Sequence, residues 1–317
     1  MMDQFGREIR YLRVSVTDRC NLRCEYCMPE DGVPDKGHDS ILSNEEITRI
    51  ISAAAGYGIS KVRLTGGEPL VRQGFIRLCG EIAAIPGIEE LTLTTNGLLL
   101  PAMARDLKRA GVSRVNISLD TLQADKYRRI TRGGSLEGAL AGIEAARAAG
   151  LYPIKINAVL IRGFNDDELM DLARLSLEED VHVRFIELMP IGEGCRFWPE
   201  GYLSAEEAIA MMPGLESLDA SDGVAQSWRL PGAGGTVGFI KPVSHHFCGS
   251  CNRLRLTADG MLKPCLHSDS EILVRGLQGE ALKAAFEAAI MAKPAENREM
   301  SASMPSRAGR SMNRIGG

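Results

Sequence analysis

Short runs rich in β-branched and apolar residues alternate along the first two thirds of the chain with longer stretches whose apolar positions recur at helical spacing. The first run, IRYLRVSVT (Ile9–Thr17), reads as a strand. After a loop, SNEEITRIISAAAGYG opens with Ser43, carries glutamates in its first turn and closes on Gly58, which predicts a helix. KVRLTGGEP is then a strand ending in glycines, and the unit repeats. A helix around Phe75–Ala84 leads to strand ELTLTTNG, and one around Pro101–Ala110 leads to RVNISLD. Helical segments at Ala124–Ile130 and Leu136–Ala149 lead to YPIKINAVLI, and Asp167–Leu177 leads to HVRFIELMP. Six β/α repeats predict a parallel sheet with crossover helices. Because a closed barrel of this kind needs eight, an open, partial (β/α)6 barrel of the α/β class is expected.

The rhythm stops where Pro and Gly gather between Met189 and Gly201. One more amphipathic helix is expected near Ser204–Met212. Shorter strand-like pieces follow: GVAQSWRL, GTVGFI, NRLRLTADG with its Asp-Gly turn, and MLKPCL. A helix around Glu280–Ala289 precedes a final Ala-, Ser-, Arg- and Gly-rich stretch that reads as poorly ordered on its own. The expected boundary lies near Ala220–Ala225, dividing a core domain, 1–222, from a smaller C-terminal α+β domain, 223–317.

Composition narrows the function. The 317 residues are 44% hydrophobic and 25% charged, ordinary for a globular chain large enough for a substantial core. No apolar run has the length of a membrane span, and the first residues lack a signal-peptide pattern, so a cytoplasmic protein is expected. A net charge of −4 argues against a generic nucleic-acid binder while leaving room for a local basic pocket. The eight cysteines are grouped like metal ligands in a reducing compartment rather than spread as a disulfide framework.

The sharpest chemical signal is Cys20-Asn-Leu-Arg-Cys24-Glu-Tyr-Cys27, directly after the first strand. A structural zinc site closes with four protein ligands and an electron-transfer [4Fe–4S] cluster normally takes four thiolates. Three thiolates with no fourth ligand nearby would leave one iron open for a reacting ligand. The C-x3-C-x-aromatic-C spacing, with Tyr26 as the aromatic, resembles the radical S-adenosylmethionine (SAM) superfamily. That resemblance implies a [4Fe–4S] cluster whose open iron binds SAM and whose reduction yields a 5′-deoxyadenosyl radical. GGE (Gly66–Glu68), one β/α unit later, is similar to the element that holds the amino group of SAM in that superfamily. The other polar strand ends, TTNG, SLD, KIN and ELMP, are each explicable as turns or caps when read singly.

A second triplet, Cys248-Gly-Ser-Cys251 followed by Cys265, has His245, His246 and His267 close by in sequence. By itself it suits zinc and an iron–sulfur cluster equally. With the first motif, it resembles the two-cluster branch of the superfamily that cyclises GTP in the first step of molybdenum cofactor biosynthesis, over nearly the whole chain from Arg7 to Gly317. The resemblance implies that Cys20, Cys24 and Cys27 hold the SAM cluster and that Cys248, Cys251 and Cys265 hold a second [4Fe–4S] cluster. It places Tyr26, Gly67, Ser118 and Met189 around SAM, and Arg13, Arg63, Thr94, Lys155, Arg253 and Arg255 on GTP. It brings Gly316 and Gly317 into the active site. The radical would take hydrogen from C3′ of the ribose, and C3′ would then bond to C8 of guanine. A homodimer, an electron donor and a downstream cyclic pyranopterin monophosphate synthase are implied as partners, with no nucleic acid or membrane. Independently, guanidinium forks suit a triphosphate, and alternation puts Arg253 and Arg255 on one face of a strand. Cys79, Cys195 and His246 are expected to be structural. A peptide-modifying two-cluster enzyme and a non-catalytic zinc protein are the alternatives, the first disfavoured by only three cysteines after residue 200.

Overall fold

The computed structural model describes residues 1–33, 40–221, 224–296, 306 and 308–316, and for residues 219–221 the backbone alone. Six strands form the expected parallel ladder: β1 (Tyr11–Ser15), β2 (Lys61–Thr65), β3 (Glu90–Thr95), β4 (Arg114–Ser118), β5 (Ile154–Leu160) and β6 (Val181–Glu187). Between them run α1 (Asn44–Ala55), α2 (Phe75–Ala83), α3 (Leu100–Arg109), α4 (Ala124–Ile130), α5 (Leu136–Ala148) and α6 (Leu169–Arg174). Helix α1 begins as its sequence indicates: Ser43 and Glu46 cap each other's backbone N–H reciprocally, and Ile47, Ile50, Ile51 and Ala54 face the core. The sheet's outer face and these helices enclose a continuous apolar core that runs from Ile9 to Ile290.

The later strands extend the same sheet at both edges. After α7 (Ala205–Ala210), β7 (Glu216–Ser221), β8 (Ala225–Arg229) and β9 (Val237–Ile240) add beyond β6, with β9 parallel to it. At the other edge β10 (Arg253–Leu256) lies parallel to β1, and β11 (Met261–Lys263) and β12 (Ile272–Leu273) follow antiparallel. The chain therefore crosses from one margin of the open barrel to the other between β9 and β10, and helix α8 (Gly279–Met291) packs back on α1. Strands β7 and β12 have no counterpart in the sequence reading, being polar and short respectively. The expected boundary between 222 and 223 lies outside the described residues.

The last stretch reads as poorly ordered on its own; residues 297–305, 307 and 317 of it lie outside the described residues, but its described end is not frayed. Residues Arg310–Gly316, including the short helix α9 (Met312–Ile315), are docked on the barrel, with Asn313 and Ile315 buried. Arg310 is the clasp: its guanidinium meets both oxygens of Glu271 at 2.7 Å and both of Asp259 at 2.8 and 3.0 Å. The anchor is legible only in three dimensions, because its partners come from the β10–β11 turn and the loop before β12.

Candidate active site

One cavity of about 550 Å³ occupies the inside of the open barrel, and all six clustered cysteines line it. Its walls are set by strand alternation. Arg13, Arg63 and Arg255 stand in one row, since Arg13 is paired in register with both others. Tyr11, Lys61 and Arg253 form the next row, and the Tyr11 ring lies under Lys61, Arg63 and Arg253 at 5.4, 5.7 and 6.0 Å. Lys155, Asn116 and Thr94 occupy successive register positions on β5, β4 and β3. Arg13, Arg63 and Lys155 sit within their strands and line the cavity. The reason is the missing closure: six core strands leave an interior wide enough that side chains need not fill it.

The two triplets face each other across this interior. The first follows the C-terminal end of β1. The second brackets the start of β10, which is parallel to β1, and the end of β11, which is antiparallel to it. They therefore cap opposite mouths of the barrel, separated by a strand length on the order of 15 Å. Backbone contacts hold the first loop: the N–H groups of Gly67 and Glu68 donate to the carbonyls of Thr17 and Arg19, each at 2.8 Å. The glycines are required by this approach, since a Cβ on Gly66 would lie 2.4 Å from the Thr17 carbonyl oxygen and one on Gly67 would lie 2.2 Å from that of Arg19. Glu68 is buried, and its oxygens accept from Leu70 and Asn96 N–H and the Thr95 hydroxyl. Its first structural task is thus to fix the end of β3, with little acceptor capacity left for a ligand ammonium.

Electrostatics divide the cavity. Around the first triplet, burial raises the thiols, Cys20 to about 11 and Cys27 to about 12. It also raises Glu68 to about 7 and Asp120 to about 6. Around the strands, burial and then the neighbouring cations push Lys155 down to about 6 and Arg184 to about 9, and burial followed by Arg253 brings Arg255 to about 10. Glu90 is a counter-charge for two of these cations, 2.5 Å from Lys61 and 2.8 Å from Arg114. Crowded, desolvated cations of this kind are relieved by a polyanion.

The donor set fits the implied groups. Among the described residues no three His, Cys, Asp or Glu side chains gather closely enough for a single metal ion. Separate thiolates suit a polynuclear cluster, in which each takes its own iron, better than a tetrahedral zinc. Tyr11 Oη, Thr94 Oγ1 and Asn157 Oδ1 are buried on the cavity wall without a hydrogen-bond partner among the described residues, as atoms that face a ligand would be.

The cavity brings together every cysteine of both triplets with Tyr26, Gly67, Ser118, Met189, Arg13, Arg63, Thr94, Lys155, Arg253 and Arg255. Gly316 reaches the same interior through Arg255, and Gly317 lies outside the described residues. Cys79 is in the core as expected, but Cys195 is exposed and His246 lines the cavity, so neither is a packed structural residue. Sequence reading missed Tyr11, Lys61, Arg114, Arg184 and Asp120, all on the wall. Their signal was alternation within strands: Lys61 with Arg63, Arg114 with Asn116. Asp120, read as a cap, accepts from Tyr26 Oη at 2.6 Å and from Val159 N–H at 2.8 Å, steadying the aromatic beside Cys27.

Known proteins place the chain. Residues 14–176 match the Radical SAM superfamily and residues 181–299 match Molybdenum Cofactor Synthesis C. A GTP 3′,8-cyclase of Moorella thermoacetica is 55% identical over 307 residues, covering 94% of this chain and 95% of that protein. One of Heliobacterium modesticaldum is 51% identical over 328 residues, covering 100% of both. Among solved structures, Streptococcus suis SuiB bound to S-adenosylmethionine superposes with a TM-score of 0.59 at 14% identity, covering 87% of this chain and 64% of that one, a likeness of fold alone. With both domains matched in order and half the residues shared end to end, the chain belongs to the GTP 3′,8-cyclase family of the radical SAM superfamily.

Proposed function

We propose that this chain converts GTP to (8S)-3′,8-cyclo-7,8-dihydroguanosine 5′-triphosphate, the first step of molybdenum cofactor biosynthesis. One observation carries the reading: two cysteine triplets cap opposite mouths of a single cavity whose wall between them is a belt of buried cations. Cys20, Cys24 and Cys27 would hold the SAM cluster, and Cys248, Cys251 and Cys265 the second. When bound, the first group with SAM supplies hydrogen-atom abstraction, and the second supplies an open iron for the guanine base.

The chain's own residues bind, orient and exclude water. Tyr26, Gly67, Ser118 and Met189 would enclose SAM. Arg13, Arg63, Lys155, Arg253 and Arg255 would take the triphosphate, and Thr94 would accept or donate to the nucleoside. With the phosphates on the cations and the base toward the second triplet, these residues would orient the ribose so that C3′ faces the SAM site. Gly316, which lies beside β1 and β2, would close the interior, and Gly317 would share the tail's role. We further assign residues 1–222 to the core and 223–317 to the auxiliary-cluster domain. The working protein would be a cytoplasmic homodimer that draws on an electron donor and passes its product to the cyclic pyranopterin monophosphate synthase. No helix among the described residues is long and apolar enough to cross a membrane.

The test is an anaerobic assay of reconstituted protein with SAM, a strong reductant and GTP, followed by mass spectrometry. Formation of 5′-deoxyadenosine and cyclised GTP, with no reaction of ATP, supports the assignment. If 5′-deoxyadenosine forms while GTP is untouched, the substrate is wrong. A colourless, zinc-loaded protein would favour the non-catalytic alternative.

A further inference from the structure

Lys293, just beyond the end of α8, is buried at 2% exposure although it carries an ammonium. Its Nζ donates to the carbonyl of Arg253 at 2.7 Å and to that of Pro264 at 3.0 Å, and it points at Cys251 Sγ at 3.8 Å. The two carbonyls can only accept, so both of those contacts use N–H groups of Lys293, and as an ammonium it has a third N–H for the Cys251 sulfur.

The two carbonyls belong to residues adjoining the two halves of the second triplet: Arg253 is two residues after Cys251, and Pro264 directly precedes Cys265. One side chain thus ties together segments that the sequence separates by a hairpin. The remaining cysteine is secured differently. Arg7 Nη1 donates to the Cys248 carbonyl at 2.7 Å, and Arg7 is neutralised by Asp3 at 2.6 Å. Among the described residues no carboxylate bridges Lys293, and the acidic groups that face it are Cys251, Cys265 and Asp3, with Cys251 Sγ in contact. A buried cation is retained only with a compensating charge.

We propose that Lys293 is a positioning residue for the second cluster, holding Cys251 and Cys265 in register and stabilising the reduced state of the cluster by its charge. The inference rests on the reading that this triplet binds a cluster. Reduction adds a negative charge next to a fixed cation, so the reduction potential is less negative with Lys293 than without it.

The experiment compares reconstituted full-length wild type with Lys293→Met, Lys293→Gln and Lys293→Arg. Iron and sulfide are counted per chain, and both clusters are titrated by EPR-monitored potentiometry. Signals are assigned with a full-length variant carrying Cys20→Ala, Cys24→Ala and Cys27→Ala. The expected result is a shift of the second potential to more negative values in Lys293→Met and Lys293→Gln, with the first potential unmoved and Lys293→Arg close to wild type. Selective loss of second-cluster iron in Lys293→Met supports the holding role. If Lys293→Met fails to fold, Lys293→Gln decides by the same shift. Full loading with an unmoved second potential in the neutral variants overturns the inference. Wild type that loads only one cluster overturns the cluster reading itself, and the inference with it.

Discussion

Arg255 donates from Nη1 to the carbonyl oxygen of Gly316 at 2.5 Å, joining a buried strand cation to the last described residue of the chain. Three residues earlier, the Asn313 backbone N–H is directed at the Cys27 thiol. The tail therefore spans from the first triplet to the cation belt. Gly316 adopts φ +79°, and a Cβ there would lie 2.7 Å from Thr65 Cγ2. Only glycine fits that position without displacing β2.

Removal of Gly316 and Gly317 is expected to abolish cyclisation while leaving iron and sulfide content at the wild-type level. Iron analysis beside the turnover assay checks both halves, and wild-type activity from the truncated chain would contradict the proposed role of the tail.

Arg310→Ala should release the tail without touching the cavity. Arg310 is half-buried and held by two carboxylates, so its loss leaves Asp259 and Glu271 without their shared partner. A displaced tail is expected to lower turnover by about 100-fold, the scale of an ångström-level misplacement of reacting groups. Limited proteolysis near the C-terminus should accelerate in parallel, whereas iron content should not change.

Gly67→Ala places a methyl group against the Arg19 carbonyl, where backbone rather than a flexible side chain must yield. The expected destabilisation is about 1–3 kcal/mol, with selective loss of iron from the first triplet. Denaturant titration and iron counts measure the two effects separately. Wild-type iron content would show that the loop tolerates the shift.

The pH dependence of substrate binding follows from Lys155. Burial, then Arg184, Arg114 and Arg63, lower it to about 6, so in the free protein it is largely neutral above that pH. A triphosphate beside it favours the ammonium and raises its pKa in the complex. Between about 6 and the raised value the complex holds more proton than the free protein. GTP binding should therefore take up a proton, and affinity should fall as pH rises through that window. Calorimetry of GTP binding in two buffers of different ionisation enthalpy checks the uptake. Lys155→Met should remove it.

The alternation of short apolar runs with helical stretches, opened by caps such as Ser43, was enough to predict the parallel core, although the first helix ends at Ala55 with Gly56 as its cap rather than at Gly58. These are local preferences with a short period, and they hold wherever the chain goes. The first cysteine spacing was legible for the same reason, since three thiols within a few residues can reach one group without help from the fold, whereas Cys265 joins Cys248 and Cys251 only through the β10–β11 hairpin. The arrangement of the site was decided elsewhere. Nothing in the order of residues says that β10 lies beside β1, yet that pairing sets the second triplet opposite the first and puts Arg255 in register with Arg13. Lys61, Arg114 and Arg184 were not singled out in the sequence, and it is the open sheet that turns them inward. The tail looked frayed until Arg310 met Asp259 and Glu271 across the fold. Each depends on long-range pairing, whose free energy comes from burial and charge compensation between segments far apart in sequence, and such terms exist only once the chain has closed on itself.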